Sequence, residues 1–285
     1  MPMKQLTFIL FCASLAVPAT ARAAAVHVHE RIQEALQQLY NFDFAAAHRI
    51  LDAHRKAEPD DPIGPGIRAS AYLFYELDRL AILEAEFFED DKNIADKKKL
   101  KPDLDIKKKL YVALGETESL ALAKLDKNPN DVNALFALCL KEGVLTDYKA
   151  LVEKRGLSSL KNAKASNKHA VRLLEIEPNF YDAYLTTGVN EYLIGSLPFF
   201  VKWFVRMDGV KGSKKQAFAN LELVAKKGKY LGPFAQILLS IIYLREHKPK
   251  KAEKLLAELS HRYPDNPLLK KELARVTKKL AVGDI

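Results

Sequence analysis

The sequence predicts an all-α fold in which helical hairpins stack side by side as a solenoid. Three observations carry this. Apolar residues recur at helical spacing, as in Ile237, Leu238, Ile241 and Leu244, and again in Ala252, Leu255, Leu256, Leu259 and Tyr263. Four prolines share one context: Glu58-Pro59-Asp60-Asp61, Asn128-Pro129-Asn130-Asp131, Glu177-Pro178-Asn179-Phe180 and Tyr263-Pro264-Asp265-Asn266. Each ends one helical pattern, which proline cannot extend, and precedes another whose free N–H groups Asp or Asn can accept. Few segments alternate apolar and polar residues with the period of a strand.

Composition agrees with a folded helical chain. Of 285 residues, 48% are hydrophobic and 28% charged, enough for a core and a solvated surface. Eleven tyrosines and fourteen phenylalanines exclude wholesale disorder. Residues 1–23 read as a secretory leader: Lys4, the apolar run Leu6–Val17, then Ala21-Arg22-Ala23. Cleavage is expected after Ala23, with Ala21 and Ala25 as neighbouring cut points, and the mature chain is expected in the periplasm or outside the cell. Cys12 follows bulky Phe11, which does not suit a lipid-attachment signal. Cleavage leaves Cys139 as the only cysteine, so packing rather than an internal disulfide must stabilise the exported chain. The net charge of +9, part of it in the leader, reads as a lysine-rich solvated surface.

The helical patterns run, in order, over Glu30–Tyr40, Asp43–Ala57, Ile67–Asp90, Asp105–Lys127, Asp131–Lys154, Leu157–Glu177 and Phe180–Leu193. They continue over Pro198–Met207, Ser213–Lys227, Leu231–Arg245, Lys250–Arg262 and Pro267–Leu280. Ser213 with Gln216 forms a capping box, and Gly228 marks a helix stop. Residues 24–285 form a single repeat domain, with a charged linker near 90–105 that contains Pro102.

Small residues recur at fixed distances from the prolines. Ten positions after them stand Ala69, Cys139, Gly188 and Ala274; twelve before them stand Ala47, Thr117, Ser166 and Ala252. Ala35 and Ser240 lie 24 before the first and last. This register resembles the tetratricopeptide repeat, a helix–turn–helix unit of about 34 residues whose small residues mark the closest approach of paired helices. The proline intervals are unequal and the aromatic marks partial. The resemblance therefore implies an irregular tetratricopeptide-like superhelix of about five to six hairpins. It also implies an inner face lined by the first helix of each pair. In that register the inward candidates for partner binding are Asn133, Phe136, Asp182, Leu185, Tyr192, Ile237, Ile241 and Arg245.

The stretch Gly195-SLPFFVKWFVRMDGVKGSKK departs from the repeat pattern. Phe199, Phe200, Trp203 and Phe204 cluster beside Lys202 and Arg206. The wider region Asn179–Leu269 is similar to exported bacterial tetratricopeptide proteins and to eukaryotic inclusion-body-clearance tetratricopeptide proteins, which implies a related scaffold without catalytic residues. Three readings of the stretch stand: a buried helix filling the solenoid, a partner-binding surface, or a membrane-interface helix. Its apolar character nearly all round favours burial.

No reaction is legible. His27 and His29 with Glu30 lack a further ligand and read as a polar terminus; His48 and His54, six apart, do not share a helix face. Cys139 occupies a small-residue position and reads as packing. Gly209-VKGSKK lacks the phosphate-loop spacing, and the lysines carry no nucleic-acid motif. The sequence thus predicts a non-catalytic scaffold, with no metal, cofactor or nucleic acid, that binds a protein or peptide in the cell envelope or outside the cell. The alternative is a membrane-surface or lipid-associated envelope factor using the aromatic helix near 197–207.

Overall fold

The computed structural model describes residues 19–83, 101–196 and 212–283. Among them are eleven α-helices and no strand: α1 Ala19–Tyr40, α2 Phe44–Ala57, α3 Ile63–Arg79, α4 Leu104–Lys127, α5 Val132–Asp147 and α6 Gly156–Ile176. The series continues with α7 Tyr184–Ser196, α8 Lys214–Lys227, α9 Gly232–Arg245, α10 Pro249–Arg262 and α11 Pro267–Val282. Each helix packs on the one before and the one after it, and α3 also touches α1 and α5. This is the order of stacked hairpins.

The four proline junctions form the same turn. The N–H of Asp61, Asp131, Phe180 and Asn266 donates to the carbonyl three residues back, on Glu58, Asn128, Glu177 and Tyr263, at 3.0–3.2 Å. Proline's fixed φ suits the second position of such a turn. In three cases the closing residue then serves the next helix. Asp61 accepts from Gly64 N (3.1 Å), Asp131 from Ala134 N (2.8 Å) and Asn266 from Leu268 N (2.9 Å). Phe180 has no oxygen to offer, and there the chain enters α7 through a 3-10 turn, Tyr181–Ala183.

Several helices differ in extent from the sequence expectation: the first begins at Ala19 rather than Glu30, and the seventh runs Tyr184–Ser196 rather than Phe180–Leu193. The third begins at Ile63 rather than Ile67, because Pro65 falls in the first turn, where a missing N–H costs no helical bond. It ends at Arg79, well short of Asp90. Ala81 takes a left-handed conformation (φ 55°), and Ile82 N donates to Leu77 O at 2.8 Å. The fifth stops as an α-helix at Asp147 and is prolonged by a π turn, Tyr148–Val152. The helix expected at Pro198–Met207 lies outside the described residues, as does most of the charged linker. Beyond it, the Lys101 carbonyl accepts from Arg79 at 2.7 Å, while Asp103 N donates to buried Glu76 at 2.8 Å.

Nine of the ten small-residue positions are buried: Ala35, Ala47, Ala69, Thr117, Cys139, Ser166, Gly188, Ser240 and Ala252. A Cβ on Gly188 would stand 3.0 Å from Leu221 Cγ and 3.2 Å from Asn220 Cβ, so α7 and α8 approach that closely only because none is there. Ala274 is the exception. It is exposed because no described helix follows α11 to cover it.

One apolar cluster runs from Ile32 in α1 to Val276 in α11. It is continuous because the stack curves until its ends meet. The rings of Tyr40 and Tyr263 lie 5.3 Å apart, and those of Phe74 and Phe234 5.5 Å. Asn266 Nδ2 donates to the Tyr40 carbonyl at 2.7 Å, and the Tyr40 hydroxyl donates to the Tyr230 carbonyl at 3.2 Å. Two satellite clusters sit between α3, α4 and α5 and between α7, α8, α9 and α10.

Candidate binding cavity

Closure of the stack turns the first helices of the hairpins, α1, α3, α5, α7, α9 and α11, toward a common interior. They leave a cavity of about 270 Å³ there. Its walls come from Leu39 and Tyr40 of α1, Leu73, Phe74 and Leu77 of α3, and Val189, Tyr192 and Leu193 of α7. Alpha-9 gives Phe234, Ile237, Ile241, Leu244 and Arg245; α11 gives Leu268, Leu269 and Glu272. A second cavity of about 90 Å³ shares Leu39, Tyr40, Leu73, Phe74, Asp147 and Phe234 with the first. The interior is therefore apolar, with a few polar groups set in its walls, which is the composition of a ligand site.

Four of the eight inward candidates meet in the larger cavity: Tyr192, Ile237, Ile241 and Arg245. Phe136, Asp182 and Leu185 line the smaller one. Asn133 lines neither and sits half-buried in the first turn of α5. Their surroundings separate them further. Phe136 is 1% exposed and packed between the rings of Phe180 and Tyr230 at 4.9 and 5.5 Å, so it belongs to the core. Asp182 is 2% exposed; its carboxylate accepts from the backbone N–H of Lys229, Tyr230 and Leu231 at 2.7–2.9 Å and holds the α8–α9 connection. Burial raises its carboxyl pKa and those bonds work against the rise. Tyr192 donates to Glu246 at 3.1 Å, and Glu246 also accepts from Lys214 at 2.6 Å. Burial pushes Tyr192 up. Glu246 is held low, its two hydrogen bonds outweighing burial.

The inner-face register does not reach the α1, α3 and α11 walls or Asp147. For Asp147 a signal existed: Phe136, Leu140, Gly143 and Asp147 follow one another at intervals of four, three and four, which places them on one stripe of α5. All four line the smaller cavity, and Asp147 reaches the larger one too. The carboxyl of Glu272 is nearly buried and bonded to Arg275 at 2.8 Å.

The aromatic candidates Phe199, Phe200, Trp203, Phe204 and Arg206 lie outside the described residues. Among the described residues no helix is long and apolar enough to cross a membrane, and no three His, Cys, Asp or Glu side chains gather as metal ligands would. Cys139 is buried with its sulfur 3.2 Å from Thr186 Oγ1 and 3.5 Å from Ser166 Oγ. Burial raises its thiol pKa against those contacts, the opposite of an activated nucleophile. No family model matches the chain, and neither a curated protein nor a solved structure matches it. Fold and cavity together define a class only: an all-α stack of helical hairpins closed around an apolar interior.

Proposed function

We propose that the chain is an exported, non-catalytic scaffold of tetratricopeptide-like hairpins that captures an apolar segment of a protein partner in its interior. The observation that carries this reading is the convergence of Tyr192, Ile237, Ile241 and Arg245 on one cavity. The repeat register had placed those four on one inner face. Burial at nine of ten small-residue positions supports the tetratricopeptide-like architecture, and the leader-like pattern of residues 1–23 supports export. Capture would proceed as in other helix-lined grooves, with apolar side chains of the partner entering and a few polar groups fixing register.

A photo-crosslinking amino acid at position 241 tests this against the same group at Leu160, which is 59% exposed on α6. The reading expects crosslinks from position 241 that map to an apolar segment of one envelope protein. Crosslinks from position 160 alone would overturn it.

A further inference from the structure

Alpha-5 ends at Asp147 and passes straight into the π turn, so Asp147 and Leu151, four residues apart, both line the larger cavity. Pi segments re-aim the side chains around them and are frequent at functional sites. Here half-buried Asp147 joins Leu73, Phe74 and Leu77 in the lining of the cavity. Among the described residues no hydrogen bond or ion pair reaches its carboxylate. Burial alone pushes it up to about 7. The other acids nearby are engaged: Glu272 with Arg275, Asp182 with three backbone N–H groups.

A half-buried carboxylate beside apolar side chains is incompletely hydrated, and a cation that enters the cavity can pair with it. The space suits a few side chains rather than a whole helix. A dry cavity of about 150 Å³ accepts benzene, and this one holds about 270 Å³. Resting on the proposed capture of a partner segment in this interior, we infer that the segment carries a lysine or arginine among its apolar side chains and that its cation pairs with Asp147. The apolar stem of that residue packs along the α3 and α9 walls while the charged end reaches the carboxylate. Recognition of the cation is a contact effect, because the chain's net positive charge, with or without the leader, repels cations at a distance. Its advantage therefore survives added salt.

The test uses three fluorescein-labelled amphipathic peptides of leucine, alanine and glutamine. They are identical except for one central residue on the apolar face, which is lysine, norleucine or glutamate. Binding is measured by anisotropy to the full chain, to Asp147→Asn and to the cavity-filling variant Ile241→Trp, each confirmed as folded by its helical circular dichroism. The lysine peptide is expected to bind about tenfold tighter than the norleucine peptide, and the glutamate peptide weakest. In Asp147→Asn the lysine advantage disappears while the norleucine peptide still binds. Equal binding of lysine and norleucine peptides to the full chain, abolished by Ile241→Trp, overturns the role of Asp147 and leaves capture in the interior standing. Binding of no peptide, or binding that Ile241→Trp leaves intact, overturns both.

Discussion

The Asp182 carboxylate accepts the backbone N–H of Leu231 at 2.7 Å, tying the entry of α7 to the entry of α9 across 49 positions. The same side chain takes the N–H groups of Lys229 and Tyr230. This single residue satisfies the connection that brings Tyr230 against Phe136 and Tyr40. Asp182→Ala leaves buried donors without an acceptor and is expected to lower stability by about 3 kcal/mol. Urea unfolding followed by circular dichroism measures it; a loss under about 1 kcal/mol would mean that water replaces the carboxylate freely.

The meeting of the two ends rests on Asn266. Its Oδ1 caps α11 through Leu268 N and Leu269 N, and its Nδ2 donates to the Tyr40 carbonyl at the end of α1. One side chain thus serves an orphan acceptor of the first described helix and orphan donors of the last. Asn266→Ala is expected to cost about 2 kcal/mol. Hydrogen exchange should show α1 and α11 losing protection together. Loss confined to α11 would mean that the closure contributes nothing.

Asp147 gives a pH dependence with a definite sign. Its folded carboxyl is raised from 3.8 to about 7 by burial. The neutral form is thus preferred in the folded chain. Full stability belongs to pH below 3.8 and is lost as pH rises through about 7. Asp147→Asn should therefore be more stable than the parent above that range, by about 2–4 kcal/mol, with the difference vanishing near the lower value. Thermal unfolding across this window checks it. A variant less stable than the parent at high pH would mean that the carboxylate has a stabilising partner.

His247 ends α9 in a left-handed conformation, φ 53°, and is exposed. Its neighbour Lys248 donates to Tyr243 O at 2.8 Å, closing the turn. A side chain at such a position costs about 1–2 kcal/mol, part of which glycine returns as unfolded-state entropy. His247→Gly is expected to raise stability by about 0.5–1 kcal/mol and the melting temperature with it. A decrease would show that the imidazole makes a contact worth more than the strain.

The same turn shows why some boundaries were legible and others not. Helix starts could be read at Asp131 and Asn266 because they follow a chemical rule: proline, then Asp or Asn within reach of free N–H groups; after Asp61 the start was set four residues late, because Pro65 lies inside the first turn. The stops at Tyr40 and Arg245 were placed, although the left-handed residues beyond them, Phe42 and His247, are neither glycine nor asparagine; at Ala81, where apolar residues continue at Ile82 and Leu83, nothing marked the stop. That is why the third helix was expected to run on to Asp90. The small-residue register was readable because close backbone approach admits few side chains, whatever the partner helix. The inner face was half legible. Tyr192, Ile237, Ile241 and Arg245 follow from the register of two helices, whereas the α3 wall depends on closure of the stack. Closure comes from Tyr40, Tyr230 and Asn266, residues some 190–226 positions apart whose pairing no local pattern encodes.

The most direct check is a crystal of the chain under xenon pressure, since an apolar cavity of this size takes up xenon and a polar or filled one does not. The account predicts a xenon atom bounded by Leu73, Ile241 and Leu269, with Asn266 still on the Tyr40 carbonyl. An interior filled by the chain's own side chains, or a stack whose two ends stand apart, would contradict it.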